Sequence, residues 1–141
     1  MSQQLSPAAE ILRQEIKKLI TEASSGKPKP GENATNFYEQ DANGNRTYDG
    51  SLYERKVSLL MEAMELGKGW GWSLAYFSQP RPIINKFKRM WLVPLSENAT
   101  ITPAEAPSTE QYKALTEGYR TFVGDQPILN SPSTVIFVAP M

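Results

Sequence analysis

The chain has 141 residues, with fifteen Lys and Arg, fifteen Asp and Glu, and neither cysteine nor histidine. This length is usual for one domain, which can bury a core without disulfides or metal. The missing residue types exclude thiolate catalysis, cysteine-ligated zinc and every histidine-dependent triad. A formal net charge of zero gives no long-range attraction to nucleic acid or to an anionic membrane. We therefore expect no cofactor and no membrane partner, and we expect that the protein is not an enzyme.

Residues 7–24 have the pattern of an amphipathic helix. Ser6 is a favourable N-cap, Pro7 suits the first helical position, and Gly26 is a suitable stop. The apolar stripe at helical spacing includes Leu12, Ile16, Leu19 and Ile20. Such a stripe packs into the core of its own chain or binds another chain. Because the sequence GKPKPG separates this helix from the rest of the chain, we consider these four residues as candidate partner-binding residues.

Side chains that carry oxygen occupy alternate positions in the stretch FYEQDANGNRTYDG, residues 37–50. Four of them match oxygen-donating positions of a calcium-binding EF-hand loop: Asp41, Asn43, Asn45 and Asp49. Arg46 and Leu52 stand where that loop needs glycine and glutamate, so the match to a calcium site is incomplete.

The same stretch has the features of a β-hairpin. Asn43-Gly44 is a strong signal for a two-residue turn, because both residue types tolerate positive φ. NFYEQ before the turn and RTYDG after it can pair, with Phe37 or Tyr38 opposite Thr47 or Tyr48. We predict a hairpin or ordered loop that leads into a second helix.

The second helix is predicted to begin at a capping box. In Ser51-Leu-Tyr-Glu54, the Ser and Glu side chains can satisfy each other's free backbone amides. Its buried stripe is predicted to consist of Tyr53, Val57, Leu60, Met61 and Met64. Gly67 is predicted to end the helix.

After Gly67 the pattern changes to extended chain. Alternating side chains predict strands at 70–77 and 87–95, and further strands are predicted at 119–123 and 134–140. The unbroken apolar run at 135–138 is typical of a strand that is covered on both faces. Between these strands, Ser108-Thr-Glu-Gln111 matches a capping box and predicts a short helix that ends at Gly118.

The predicted fold class is α+β. We expect a single small domain with two amphipathic helices plus a short helix, packed on a mainly antiparallel sheet. The chain divides into an N-terminal amphipathic helix (1–26), a polar loop or hairpin arm (27–50) and an α+β core (51–141).

Aromatic and basic side chains are interspersed between residues 70 and 91. The candidate nucleic-acid-binding residues are Trp70, Trp72, Tyr76, Lys88, Arg89 and Trp91. A sheet face with aromatic rings beside positive charges can stack the bases of a single strand, as in OB-folds. The other interpretation is that the rings form the core face of the sheet and the cations lie at its solvated end.

Paired carboxylates are the main remaining basis for catalysis. Glu62 and Glu65 lie three residues apart on the second helix, and Asp41 and Asp49 share the loop. Nothing in the sequence indicates an apolar pocket around either pair, so we expect solvated charges.

These observations favour a non-enzymatic protein-interaction or assembly subunit of a larger complex. A structural component of a virion is one subunit of this kind. Its partners would be other protein chains, in a homo- or hetero-oligomer. The alternative is a single-stranded nucleic-acid-binding protein that uses the aromatic and basic sheet face. Because the chain starts without the cationic segment and apolar run of a signal peptide, we expect it in the cytoplasm or in a particle assembled there.

Overall fold

Strands dominate the structure. The computed structural model describes residues 2–26, 35–102, 113–130 and 132–141, of which 40% lie in strands and 24% in helices. The two helices of this part are α1 (Pro7–Glu22) and α2 (Ser51–Ala63). The longer strands are β3 (Phe37–Gln40), β4 (Arg46–Asp49), β5 (Trp70–Phe77), β7 (Met90–Pro94), β10 (Tyr119–Val123) and β12 (Ser133–Pro140). The shorter strands are β1 (Ser2–Gln4), β2 (Ser24–Ser25), β6 (Arg81–Pro82), β8 (Thr100–Thr102), β9 (Lys113–Ala114) and β11 (Ile128–Leu129).

Eight strands form the main sheet, in the order β1-β10-β7-β12-β5-β4-β3-β2. Every neighbouring pair is antiparallel except β2 and β3, which are parallel. Strand β12 lies inside this sheet, where it pairs with β5 along its whole length and with β7 on its other side. Ile136 and Val138 face one core and Val135 faces the other, which confirms the prediction of a strand covered on both faces.

The described part of the chain forms three layers. Helices α1 and α2 pack on one face of the main sheet, here called the helix side, where Ile16 and Leu60 lie in one core cluster with Leu74. The second sheet, in the order β6-β11-β8-β9, packs on the opposite face, here called the small-sheet side. Side chains that alternate along β5, β7 and β12 therefore fill two apolar cores, and this burial is the main source of stability in a chain without disulfides.

The predicted α+β class, with a short third helix and one sheet, is wrong. The structure has two sheets, and more of its residues lie in strands than in helices. The capping-box sequence at 108–111 lies outside the described residues. The described part of the predicted third helix, 113–118, instead holds β9 and a turn. Because β9 pairs with β8, a backbone ladder takes the place of the helix.

The second sheet was not predicted because its strands are very short. Each of them has only two or three residues, so an alternating pattern of burial cannot emerge in the sequence. Their pairing is decided by tertiary packing against the main sheet. Leu129 and Ile101, which are register partners in this small sheet, are both buried in the small-sheet core.

The start of α1 is as predicted, whereas the predicted cap of α2 is wrong. The Ser6 hydroxyl accepts a hydrogen bond of 3.2 Å from the amide of Ala9. At α2 no side chain caps the helix, and the amide of Leu52 donates instead to the carbonyl of Thr35 over 2.8 Å. The amide of Glu54, which the box would have satisfied, donates to the carbonyl of Gly50, so backbone acceptors serve the first turn of α2 in place of the predicted capping box. The predicted buried stripe of α2 is confirmed: Tyr53, Val57, Leu60, Met61 and Met64.

Strands β3 and β4 form the predicted hairpin. Tyr38 lies opposite Tyr48, with ring centroids 5.6 Å apart. The predicted two-residue Asn-Gly turn is wrong, because the turn occupies residues 41–45 and Gly44, unlike Asn43, has positive φ (+84°). The hairpin joins the main sheet through the pairing of β4 with β5.

Candidate interaction surface

The predicted nucleic-acid-binding residues do not lie together on one open face. The aromatic members lie on the helix side of the main sheet, partly buried against the core: Trp70, Trp72, Tyr76 and Trp91. Lys88 and Arg89 are exposed in the turn that precedes β7. The structure therefore separates the two cations from the rings that they were expected to flank.

A cation that the sequence analysis did not identify contacts Trp91. The guanidinium carbon of Arg120 lies 4.3 Å from the centre of the Trp91 ring, and Nη1 donates to the carbonyl of Met64 over 2.7 Å. Phe122 packs against the same indole with ring centroids 5.3 Å apart. Burial lowers the pKa of Arg120. This arrangement ties β10 to β7 and to the end of α2, and sequence alone gave no signal for it because the partners are far apart along the chain.

The predicted partner-binding stripe of α1 is occupied within the chain. Ile16 is fully buried, and three further members are partly buried against the helix-side core: Leu12, Leu19 and Ile20. On α1, Ile11 is the large apolar residue that remains exposed. The stripe therefore packs on α2 and the main sheet.

Three of the four candidate calcium ligands accept hydrogen bonds from backbone amides through their side chains: Asp41, Asn45 and Asp49. One carboxylate oxygen of Asp41 accepts from the amides of Asn43 and Asn45, each over 2.9 Å, which stabilises the turn. The side-chain oxygen of Asn45 accepts from the amide of Ser78, and a carboxylate oxygen of Asp49 accepts from the amide of Gly50. Within the described ranges no group of three or more acidic, His or Cys side chains could hold a metal ion.

The carboxylates considered for catalysis lie at the surface. All four are exposed: Asp41, Asp49, Glu62 and Glu65. Neither pair has the buried environment that prepares a carboxyl group for acid–base work.

A different segment concentrates exposed apolar and basic side chains. Residues 81–89, here called the cationic loop, comprise β6 and the connection from β6 to β7. Ile84 is 75% exposed and Phe87 is 47% exposed. The basic side chains of this loop are also exposed: Arg81, Lys86, Lys88 and Arg89. Because exposed apolar surface rimmed by polar residues is typical of interaction sites, this segment is the candidate surface.

The cationic loop is held firmly at its base. Asn85 is 2% exposed, and its side-chain amide donates to the carbonyls of Val123 (2.9 Å) and Asp125 (2.8 Å). The amide of the buried Ile83 donates to the carbonyl of Pro127 over 2.8 Å. These bonds fix the backbone on either side of Ile84, so the exposure of that residue is a consequence of the fold.

In the residues that the structure describes, none of the four cations of the loop forms an ion pair, because the ion pairs found there involve other side chains. Two of the cations lie over aromatic rings instead. Arg81 lies 5.2 Å from the centre of the Phe77 ring, and Lys86 lies 5.4 Å from that of Phe87. The loop is thus a positively charged and partly apolar surface.

A groove of about 300 Å³ runs beside the loop. Ile84 and Arg81 line one side of it, and Phe77, Ala75 and Phe137 of the main sheet line the other. An apolar side chain of a partner can enter this groove while its neighbours contact the cations.

Sequence reasoning identified two cations of this loop, Lys88 and Arg89, and one of its two interpretations placed them at the solvated end of the sheet. The predicted strand 87–95 includes Phe87, whereas β7 begins at Met90. The signal for a loop was present in Pro80, which cannot donate to a strand ladder, and in Asn85, which breaks an apolar run.

Comparisons with known proteins add no further identification. No protein-family model matches the chain, and no curated protein or solved structure matches it. In the described ranges, neither helix is long and apolar enough to cross a bilayer.

Proposed function

We propose that the protein is a non-enzymatic assembly subunit that binds another protein chain through the cationic loop. The observation that supports this proposal is the fixed display of Ile84 and Phe87 beside four cations that form no ion pair with any residue the structure describes. The partner would present acidic and apolar side chains together. We also propose the cytoplasm, or a particle assembled there, as the compartment, because a fold without cysteine does not depend on oxidising conditions. That the assembly is a virion stays a prediction.

The energetics favour a partner that covers the loop. Burying a side chain such as Ile or Phe contributes about 1.5–3 kcal/mol when it is fully removed from water. The hydrogen bonds of Asn85 and Ile83 hold the loop in place before binding, so little conformational entropy is lost on association. The four positive charges would add specificity for an acidic surface.

The alternative, single-stranded nucleic-acid binding on the sheet face, has less support. Base stacking needs accessible rings beside a basic groove. Trp70, Trp72 and Trp91 are partly buried against the core on the helix side. The exposed Lys88 and Arg89 lie in a turn outside the strands.

Fluorescence anisotropy of a labelled protein can test the proposal. The chain has no cysteine, so Gln79→Cys gives a single labelling position at an exposed residue near the loop. The probes are an acidic, leucine-containing helical peptide, a single-stranded oligonucleotide and vesicles of anionic phospholipid. The test variant is Ile84→Ser with Phe87→Ser, and the matched control removes two other exposed apolar residues with Ile11→Ser and Leu59→Ser.

We expect the peptide to bind, and the loop variant to weaken its binding by about tenfold or more, which corresponds to about 1.4 kcal/mol. The control variant should bind like the wild type. Tighter binding of the oligonucleotide than of the peptide would overturn the proposal in favour of the nucleic-acid alternative. Preferential binding of vesicles, or equal loss in both variants, would also overturn it.

A further inference from the structure

The charge of the cationic loop restricts its partners. Two such loops cannot pair with each other, because each carries four positive side chains and no acidic one. A symmetric contact between two copies through this loop is therefore unfavourable. A second copy can bind the loop only through a different surface that is acidic and partly apolar.

The helix side of the same chain has a surface of that kind. A cleft of about 660 Å³, here called the tryptophan cleft, lies between α2 and the start of β5. Trp70 and Trp72 line it from the sheet, and Glu54, Ser58 and Glu62 line it from α2. These three helix residues follow each other at intervals of four, so they form one stripe along the cleft.

The acidic side chains of the cleft are available to a ligand. Glu54 and Glu62 are exposed, and neither is in an ion pair in the part of the chain that the structure describes. The two indoles are partly exposed, and an indole face attracts cations when it is desolvated. Lys68 also lines the cleft and reduces its negative charge without cancelling it.

The two surfaces cannot meet within one molecule. Trp70 and Trp72 lie on the helix side of the main sheet, whereas Ile83, from which the cationic loop continues, is buried in the core on the small-sheet side. The main sheet separates them. A contact between them requires two molecules.

We propose that the cationic loop of one molecule binds in the tryptophan cleft of a second copy. Lys86 and Lys88 would approach Glu54 and Glu62, and Phe87 would pack against the indoles. This inference rests on the proposed function and names the partner. Because the loop and the cleft are different surfaces, the contact is head-to-tail, and repetition of it produces a ring or an open chain of subunits. The contact is small, so each one is weak and assembly depends on protein concentration and on salt.

Sedimentation velocity over a range of concentrations tests this inference on the full chain. The cleft variant is Glu54→Lys with Glu62→Lys, and the loop variant is Ile84→Ser with Phe87→Ser. The matched control reverses the charge of two exposed acidic residues elsewhere, with Glu39→Lys and Glu97→Lys. Circular dichroism of each variant checks that the fold is retained.

We expect the wild type and the control to assemble as concentration rises, and each test variant to need at least tenfold more protein. A mixture of the loop and cleft variants should form a one-to-one dimer and nothing larger, because it contains a single productive pair of surfaces. A chain in which the charges of the loop and of the cleft are both reversed should assemble again. Its substitutions are Lys86→Glu and Lys88→Glu together with Glu54→Lys and Glu62→Lys.

A wild type that stays monomeric at every concentration would overturn the inference. So would a cleft variant that assembles like the wild type, or a mixture that contains only monomers. If the acidic peptide still binds the loop in those cases, the proposed function stands and only the identity of the partner is wrong. If the peptide does not bind either, both proposals fail.

Discussion

The side-chain amide of Asn85 donates a hydrogen bond of 2.9 Å to the carbonyl oxygen of Val123, at the end of β10. A second bond from the same amide, 2.8 Å long, reaches the carbonyl of Asp125. One buried polar side chain thus holds the cationic loop against the end of β10 and the segment that follows it. Its partners lie far along the chain, so the position of the loop depends on the completed fold.

Replacing Asn85 by alanine should therefore destabilise both the protein and the loop. Asn85→Ala leaves two backbone carbonyls without their donor, and we expect the free energy of unfolding to fall by about 2 kcal/mol. Urea denaturation measures this change. Hydrogen exchange at the amide of Lys88, which donates to the carbonyl of Asn85, should become faster.

The variant Asn85→Asp separates the contribution of the donated hydrogen bonds to stability from the contribution of side-chain packing. It retains the volume but replaces the donating amide by an acceptor, so at neutral pH it should be less stable than Asn85→Ala. At acidic pH a protonated Asp can donate one bond, and the difference should narrow. An alanine variant as stable as the wild type would contradict the role given to Asn85.

Gly50 provides a second test, because its backbone conformation admits no side chain. Its φ is +130°, and an added Cβ atom would overlap the carbonyl oxygen of Thr35. We expect Gly50→Ala to lower the free energy of unfolding by about 3 kcal/mol or more, since both strain and a clash with backbone contribute. Gly26 is the matched control: its φ is +93° and an added Cβ meets nothing within 4 Å.

Gly26→Ala should cost only about 1 kcal/mol, from the left-handed conformation alone. Urea denaturation of both variants gives the comparison. Equal losses of stability in the two variants would show that the contact between Gly50 and Thr35 does not constrain the entry into α2.

Local signals in the sequence were sufficient for the elements that are long and continuous. Ser6 and Pro7 predict the start of α1, and the apolar run 135–138 predicts a strand covered on both faces, because these features act through neighbours in the chain. The alternation of Trp70, Trp72 and Leu74 likewise predicts β5 and its buried face.

The failures of prediction share a physical cause, which is the choice of a distant partner. The start of α2 is tied by the amide of Leu52 to the distant carbonyl of Thr35, with no side-chain cap, and the short strands β8 and β9 pair where a helix was expected. The candidate surface was only partly predictable for the same reason. The charges of the cationic loop are visible in the sequence. The burial of Asn85, which fixes the position of the loop, depends instead on hydrogen bonds to β10 and to the segment that follows it.

Arg13 is predicted to stabilise the packing of α1 through a partly buried ion-pair network. Its Nε donates to Glu10 over 2.9 Å, and its Nη1 donates to Glu117 over 2.9 Å. Arg13→Met should lower the free energy of unfolding by about 1–3 kcal/mol at neutral pH, because the variant leaves two carboxylates with fewer partners. The control is Lys56→Met, which breaks the more exposed pair with Glu15 and should cost at most about 0.5 kcal/mol.

The pH dependence of the Arg13 effect has a definite sign. The hydrogen bond from Arg13 lowers the pKa of Glu10 below its ordinary value of 4.5. A carboxyl group with a lowered pKa contributes stability above its unfolded-state pKa, and this contribution is lost as pH falls through the folded-state pKa. The stability difference between the wild type and Arg13→Met should therefore be constant near neutral pH and shrink as pH falls below 4.5. Denaturation curves across this range measure it, and a difference that grows with acid would contradict the assignment.

The hydroxyl of Tyr53 is buried without a hydrogen-bond partner in the described structure, although the ring itself is fully covered. Burial raises the pKa of this phenol. Removing an unpaired buried hydroxyl relieves its desolvation cost, so Tyr53→Phe should leave the free energy of unfolding unchanged or raise it by about 1 kcal/mol. Tyr53→Leu, which also removes the edge contact with Tyr48 at 5.9 Å, should instead lower it by about 2 kcal/mol or more.

Thermal and urea denaturation of the two variants separate the effect of the polar group on stability from the effect of the packing. A Phe variant that loses as much stability as the Leu variant would mean that the hydroxyl has a partner, such as an ordered water, and that the ring is not the main contribution of Tyr53 to the core.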